Sequence, residues 1–167
     1  MKIKNLLSSV LFLFFASYFA QNTIEVMSFN IRLGSVDDGE NHWNIRKDKV
    51  KDLINYYEAD FVGLQEAQKP QINYLLENNS LYSFLGKPRD DGENSEFSCI
   101  FYLKNKYKVL EQNTFWLSET PEKSTKSWDA AYPRIVTYAL FENIKTKKKV
   151  WVFNTHFDQV GMVERQK

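Results

Sequence analysis

The sequence predicts an α/β fold built on two β-sheets, and three observations support this prediction. Strand and helix patterns first alternate along the chain, as strand, helix, strand and helix, and a run of further strands then follows. Of the 167 residues, 43% are hydrophobic and 26% are charged, which is typical of a globular domain. No repeat or linker divides the chain after its apolar N-terminus, so we expect one domain or part of one. Helices should cover one side of the first sheet, and the later strands should form the second sheet.

Hydrophobic periodicity predicts the elements of the first half of the chain. Alternation predicts a strand over 23–32, and apolar residues at helical spacing predict an amphipathic helix over 44–58 with Asn44 as its N-cap. A short apolar run predicts a buried strand over 60–65, and proline at its first position favours a helix over 70–77. The apolar stripe of the first helix consists of Val50, Leu53, Ile54 and Tyr57.

The second half is predicted to be rich in strands. Residues 96–103 and 107–110 are expected to pair as a hairpin, and the lysine-rich turn over 145–149 is interpreted as a solvated hairpin tip. Residues 119–133 contain two prolines and many small polar residues, which predicts a long loop of the kind that is often functional. Further strands are expected over 81–86, 134–141 and 150–155.

Charge and cysteine content exclude several classes of protein. The 22 Lys and Arg residues nearly balance the 21 Asp and Glu residues. This excludes a strongly basic nucleic-acid coat protein and an acidic tail, although a local basic groove is still compatible with it. Cys99 is the only cysteine, so an internal disulfide and a CxxC zinc or redox site are both excluded.

The N-terminal segment resembles a secretory signal peptide. Lys2 and Lys4 precede an uncharged, mostly apolar run over 6–20, which is shorter than the ~20 residues that a membrane-spanning helix needs. We expect residues 1–20 to be removed on export, and the protein to be periplasmic or secreted with no stable membrane span. Residues 21–167 are expected to form the folded part. An uncleaved membrane anchor is the alternative.

Polar side chains follow three of the predicted strands. Asn30 ends the first strand, Glu66 follows the second, and the sequence NTHFD carries Asn154, His156 and Asp158 at the end of the last. Active-site groups of α/β proteins gather at such strand ends. A carboxylate there suits Mg²⁺, which often takes only one or two protein carboxylates, and the asparagine could orient that carboxylate or a metal-bound water. At a period of two, the three NTHFD side chains would share one face of a strand, and the histidine could act as a general acid or base.

In this order, the motifs resemble the endonuclease/exonuclease/phosphatase superfamily. MSFNIR, GLQE, SEFSCIFY and NTHFD are similar to four of its strands, and they carry Asn30, Glu66, Glu96 and His156. The combination is more specific than any single motif. The resemblance is closest to a bacterial exported branch, whose RDDG, FWLSETP and WDAAxxRI patterns are found at 89–92, 115–121 and 128–135.

The resemblance implies a deoxyribonuclease I-like four-layer α/β sandwich, incomplete in this chain, with the activity of a metal-dependent phosphoesterase. Glu66, with Asn30, is expected to hold Mg²⁺, with Mn²⁺ as the alternative metal. His156 is the expected catalytic donor to a phosphate oxygen, and Glu96 is expected to orient it. The expected substrate-binding residues are Arg134, Asn154 and Asp158. Trp116, Trp128 and Tyr132 could form one wall of the pocket or could pack the long loop onto the core.

Two parts of the superfamily pattern are absent from the sequence. A strand ending in GDxN and a C-terminal Asp-His pair should follow the NTH strand. We therefore expect the sequence to cover the N-terminal portion of such a domain, and residues 21–167 to be inactive alone. The expected partner is a phosphate-ester substrate, with nucleic acid among the candidates and no obligate protein partner for the full-length protein.

Two alternatives remain open on the sequence. One is a non-catalytic exported binding module of the same fold. The other is an exported β-rich domain that binds carbohydrate or another surface through its aromatic residues, without any relation to the phosphoesterases. Glu66 and His156 would lie far apart in this last case, whereas the phosphoesterase and the module of the same fold both require them to meet in one cleft.

Overall fold

Strands β1 and β2 run parallel side by side, and they begin an architecture that has two sheets and two α-helices within residues 23–166. The computed structural model describes residues 23–166, so the predicted signal peptide lies outside the described residues. Within that range, no helix is long and apolar enough to cross a membrane. The elements are β1 (Val26–Asn30), α1 (Trp43–Tyr57), β2 (Phe61–Gln68), α2 (Lys69–Glu77), β3 (Tyr82–Leu85), β4 (Glu96–Leu103), β5 (Tyr107–Trp116), β6 (Ile135–Asn143) and β7 (Lys149–Thr155).

The strands divide into a first sheet of four and a second sheet of three. The first has the order β1-β2-β4-β3, in which β1 and β2 are parallel and the other neighbours are antiparallel. The second is an antiparallel meander in the order β5-β6-β7. The parallel register sets Asn30 opposite Gln65, so the last residues of β1 and β2 reach the same edge.

Two apolar cores hold the layers together, one on each face of the first sheet. Val62 belongs to the core that α1 and α2 cover, whereas its neighbour Phe61 belongs to the core between the two sheets. This division follows from the period of two along a strand. In the inter-sheet core the rings of Phe61 and Phe141 lie 4.7 Å apart between centroids, and both side chains are fully buried. The predicted arrangement of two sheets, with helices on one side of the first, is confirmed.

The predicted hairpin between residues 96–103 and 107–110 is wrong. β4 pairs with β2 and β3 in the first sheet, whereas β5 pairs with β6 in the second. The middle of β4 is buried without alternation, which suits a central strand covered on both faces. The turn at 104–106 carries the chain to the other sheet, where the ring of Tyr107 packs 4.5 Å from that of Phe61.

The N-cap predicted for the first helix is also wrong. His42 is the cap, and its Nδ1 accepts a hydrogen bond of 3.2 Å from the backbone N–H of Asn44, which lies inside the first turn. The buried face is formed by Trp43, Val50 and Ile54. The other two members of the predicted stripe are largely exposed, Leu53 at 40% and Tyr57 at 54%.

Candidate active site

Asn30 and Glu66 meet where β1 and β2 end. The Asn30 Nδ2 donates a hydrogen bond of 2.8 Å to Oε1 of Glu66, and the Asn30 Oδ1 accepts one of 2.9 Å from the backbone N–H of Arg32. The backbone N–H of Leu33 lies 3.3 Å from the other carboxylate oxygen, Oε2. Asn30 is therefore held from both sides of its amide, and it fixes the orientation of the Glu66 carboxylate.

A β-bulge in β2 sets the backbone conformation of Glu66. The pairing of β2 with β4 shifts register between Leu64 and Ala67, and Glu66 has a left-handed φ of 56° at this bulge. Arg32, next to it on the neighbouring chain segment, also has a left-handed φ, of 57°. Such conformations cost non-glycine residues about 1–2 kcal/mol each, and they concentrate where a bulge redirects a functional side chain.

Arg134 and His156 are in contact with each other and line the same cleft as Glu66. Arg134 is only 5% exposed, and its Nη1 lies 3.4 Å from Nδ1 of the imidazole. Burial and the positive charge of Arg134 lower the pKa of His156, so the ring is neutral near pH 7. Because Nδ1 faces a guanidinium, which can only donate, the neutral ring carries its proton on Nε2.

Glu96 binds Arg89 and not His156. Its Oε1 lies 2.7 Å from Nη2 of Arg89, and no hydrogen bond or ion pair joins Glu96 to His156 among residues 23–166. The predicted support of the histidine by this glutamate is therefore replaced by the contact with Arg134. Burial raises the pKa of Glu96, and the nearby guanidinium of Arg89 opposes that rise.

These side chains line one open cleft of about 380 Å³. Glu66 and His156 both border it, which contradicts the interpretation as an unrelated carbohydrate-binding domain. Sequence reasoning did not assign a role to Arg32 or Arg89, although both lie within the FNIR and RDDG motifs that carried the resemblance. The lining residues are Arg32, Leu33, Glu66, Arg89, Glu96, Tyr132, Arg134, His156 and Gln159.

Asn154 does not face the cleft, so its predicted role in substrate binding is corrected. It is buried between the sheets, where its Nδ2 donates to the backbone oxygens of Leu64 at 2.9 Å and Cys99 at 2.8 Å. Its Oδ1 accepts a bond of 2.7 Å from Gln65, and a Cβ at Gly63 would lie 2.7 Å from the same oxygen. The side chain ties the second sheet to the backbone of the first.

Asp158 is likewise a structural residue, and its predicted contact with substrate is corrected. β7 ends at Thr155, so Asp158 lies in a loop beyond the strand and shares no strand face with His156. Its carboxylate is 1% exposed and accepts four backbone N–H bonds of 2.7 to 3.4 Å. Burial alone would raise the pKa of Asp158, but these four donors hold it well below its usual range. The donors are the N–H groups of Ala131, Tyr132, Val160 and Gly161.

The Glu66 carboxylate suits a hard divalent cation. Its oxygens accept two hydrogen bonds, from Asn30 and Leu33, and Oε2 also lies 3.9 Å from Nη1 of Arg32. A carboxylate has about four lone-pair positions, so acceptor capacity remains for a cation. Among the residues described, no group of three or more His, Cys, Asp or Glu is arranged to hold a metal. A single carboxylate is enough for Mg²⁺, because that ion keeps several waters and takes further ligands from a substrate phosphate.

Solved structures of other proteins resemble this chain. No protein-family model matches the chain. An endonuclease/exonuclease/phosphatase from Bacteroides vulgatus superposes with a TM-score of 0.82 at 41% identity, over 86% of this chain and 56% of that one. A mannosyl-6-phosphatase from Bacteroides thetaiotaomicron gives a TM-score of 0.81 at 34% identity, over 86% of this chain and 55% of that one.

A curated relative extends the comparison beyond solved structures. An uncharacterized protein of Acanthamoeba polyphaga mimivirus is 29% identical over 124 residues, which are 70% of this chain and 46% of the relative. The chain thus spans about half the length of the proteins it matches. Its two sheets and few helices match the deoxyribonuclease I-like fold of its structural neighbours. The chain corresponds to about half of an endonuclease/exonuclease/phosphatase-family protein.

Proposed function

We propose that the protein is a metal-dependent phosphoester hydrolase in which water attacks phosphorus in line. One observation carries this proposal. A carboxylate oriented for a cation, Glu66, lines the same cleft as the guanidinium of Arg134 and the neutral imidazole of His156, which are in contact. A phosphate group held between them would meet a metal on one side and hydrogen-bond donors on the other.

The metal side of the site depends on Glu66. Mg²⁺, or Mn²⁺ in its place, would polarise a phosphoryl oxygen and stabilise the charge that develops on it. The hydrogen bonds from Asn30 and from the N–H of Leu33 hold the carboxylate before a metal arrives. Preorganisation of this kind reduces the cost of ordering the site when the substrate binds.

The donor side of the site depends on Arg134 and His156. The Arg134 guanidinium is always charged and matches the oxygens of a phosphate group. A neutral His156 with its proton on Nε2 can donate to a phosphate oxygen from the same side. The burial of Arg134 keeps both groups at a fixed separation of 3.4 Å.

The relatives support a phosphate ester as the substrate class. One solved neighbour at 34% identity is a mannosyl-6-phosphatase, and we extend the chemistry of phosphate-ester hydrolysis to this chain. Because the chain covers 55% of that neighbour, we propose the activity for the product of the complete gene. Export through the N-terminal segment would place that activity outside the cytoplasm.

The proposal is tested with chromogenic phosphate esters. The product of the complete gene is assayed on a monoester and a diester, with Mg²⁺ and with a chelator, beside its Glu66→Ala variant and beside residues 21–167 alone. We expect turnover only with metal, and a loss on the order of a hundredfold or more in Glu66→Ala, since metal polarisation supplies several kcal/mol of transition-state stabilisation. Residues 21–167 alone are expected to be inactive.

Glu111→Ala is the matched control, because Glu111 is an exposed glutamate on β5, outside the residues that line the cleft. This variant should retain wild-type turnover. An enzyme that is indifferent to metal, or one in which Glu66→Ala and Glu111→Ala behave alike, would show that the metal assignment is wrong. A complete gene product that is inactive on both esters would favour the non-catalytic binding module instead.

A further inference from the structure

Arg89 is held in place by more contacts than an ordinary surface loop residue. Its backbone oxygen accepts hydrogen bonds of 2.7 Å from the indole Nε1 of Trp116 and 2.7 Å from the Ser124 hydroxyl. Its backbone N–H donates a bond of 2.9 Å to the oxygen of Glu96. The Glu96 carboxylate also binds Nη2 of its side chain, which is only 16% exposed. Contacts from β5, the long loop and β4 together fix the position of Arg89.

A second guanidinium lies close to it. Arg89 and Arg134 both approach the ring of Tyr132, with guanidinium carbons 5.1 and 6.0 Å from its centroid. Both arginines and His156 also line a small recess that adjoins the main cleft. Tyr132 therefore acts as a platform that brings two positive side chains to one side of the site, where cation–π attraction favours both.

The carboxylates nearby do not use all the donors of this pair. Within residues 23–166, Arg89 uses Nη2 for Glu96 and Nε for a contact of 3.4 Å with Asp90, and no hydrogen bond uses its Nη1. In the same range no hydrogen bond uses Nη2 of Arg134, whose Nε and Nη1 face Asp158 and His156. The free Nη1 of Arg89 and Nη2 of Arg134 are charged donors that a phosphate group could use, because a guanidinium suits the geometry of phosphate oxygens.

We propose that Arg89 and Arg134 act together as a clamp for a phosphate group that carries two negative charges. The site would then select phosphomonoesters over phosphodiesters. This inference rests on the proposed function, because it places the phosphate group in the same cleft. A monoester phosphate is almost doubly charged at neutral pH and has three unsubstituted oxygens, whereas a diester has one charge and two such oxygens. A second guanidinium is therefore of most use to a monoester.

Anion binding tests the clamp separately from catalysis. The purified protein is titrated calorimetrically, in metal-free buffer at about pH 8, with inorganic phosphate as the dianion and dimethyl phosphate as the diester analogue. We expect phosphate to bind at least about tenfold more tightly. Arg89→Met should weaken phosphate binding by about tenfold or more, since it removes a charge-assisted hydrogen bond, and should weaken dimethyl phosphate binding by less than about threefold.

Two further variants separate the clamp from a structural role. Arg89→Lys keeps the charge and an ion pair with Glu96 but lacks the forked geometry, so it should lose an intermediate amount of phosphate affinity with unchanged thermal stability. Lys87→Met removes a positive charge from an exposed position of the same loop, and it should bind both anions as the wild type does.

The outcomes distinguish this inference from the proposed function. If Arg89→Met weakens the binding of both anions equally, or the binding of neither, the clamp is wrong while a phosphate site remains. If the wild type binds neither anion, the clamp and the phosphate site are both overturned. If the clamp binds phosphate selectively but the complete gene product hydrolyses no ester, the proposed function fails and the clamp stands.

Discussion

His156 shows how one neighbouring side chain sets the protonation state of a site residue. Burial lowers the pKa of this histidine most, and the charge of Arg134 lowers it further. A histidine whose pKa is lower in the folded protein than in the unfolded chain binds fewer protons when folded. Stability that depends on neutral His156 is therefore present above the unfolded value of ~6.5 and declines as the pH falls below it.

Replacement of Arg134 tests this electrostatic coupling. In Arg134→Met the imidazole stays buried but loses a positive neighbour, so we expect its pKa to rise relative to wild type. The measurement is an NMR titration of the ring protons, with the His156 signal assigned by its loss in His156→Asn. Lys108→Met, which removes an exposed charge on β5, should leave the titration unchanged. A pKa that stays the same or falls in Arg134→Met would contradict the coupling.

At the scale of elements, two aspartates connect the long loop to the loop that follows β7. Asp158, in the loop after β7, accepts backbone N–H bonds from Ala131 and Tyr132 in the long loop. Asp129, in the long loop, accepts three such bonds, of 2.8 to 3.1 Å, from residues 162–164 beyond β7. Each loop thus caps the backbone of the other, and Tyr132 is held beside the cleft as a consequence.

The Asp158→Asn variant should show how much this exchange stabilises the fold. An amide offers only one acceptor atom, so at least one of the two donor pairs loses its partner, and we expect unfolding free energy to fall by about 2–4 kcal/mol. Urea denaturation measures the change. Because the pKa of Asp158 is lowered in the folded state, its contribution is complete above the ordinary aspartate value of ~3.9 and is lost as the pH falls.

Asp91→Asn provides the control for that measurement, because Asp91 is exposed in the turn before β4. We expect its unfolding free energy to match that of the wild type within about 0.5 kcal/mol. If Asp158→Asn were as stable as this control, the four N–H bonds would contribute little and the loop exchange would not anchor Tyr132.

Element prediction succeeded where a local pattern decided the structure. The strands at 23–32 and 60–65 and the helix at 70–77 follow from periodicity and from Pro70, and the structure confirms each of them within a few residues. The hairpin prediction failed because pairing of β4 is decided by partners far away in sequence. No local signal distinguishes a turn within one sheet from a turn that crosses to another.

Site residues, too, were predictable where a local motif carried them and not where distant contacts decide their position. Glu66 lies near the end of β2 and His156 directly follows β7, both within recognisable motifs, and both line the cleft; their roles there stay predictions. Asp158 was misplaced because β7 ends at Thr155, three residues before it. Asn154 does lie within β7, but its side chain is buried against Leu64, Cys99 and Gln65 of the first sheet, which a period of two does not reveal. Arg89 was missed because its position depends on contacts with the long loop, which periodicity does not describe.

At the scale of the whole molecule, Asn154 makes the two sheets depend on each other. Its amide satisfies the backbone oxygens of Leu64 and Cys99, which lie inside the first sheet and away from water. An unpaired polar group in such a place costs about 1–3 kcal/mol. The same side chain is anchored in β7, so loss of the second sheet would leave groups of the first sheet without partners.

Asn154→Ala should therefore destabilise the whole molecule and not only β7. We expect unfolding free energy to fall by about 2–4 kcal/mol, measured by urea denaturation with fluorescence and far-ultraviolet circular dichroism as parallel probes. The two probes should still report one transition. Asn113→Ala, at an exposed position of β5, is the matched control and should change stability by less than about 1 kcal/mol. Equal stability of the two variants would show that the tie between the sheets is energetically unimportant.

The contact between Gly63 and Asn154 has a consequence for how the sequence can change over evolutionary time. A Cβ at position 63 would lie 2.7 Å from the Asn154 Oδ1 and 2.9 Å from its Cγ, closer than real Cβ contacts occur. Any larger residue at 63 is thus tolerated only together with a smaller side chain at 154, and that change would remove the inter-sheet hydrogen bonds. The two positions should covary among homologues, as one inherited unit whose members are 91 positions apart in the sequence.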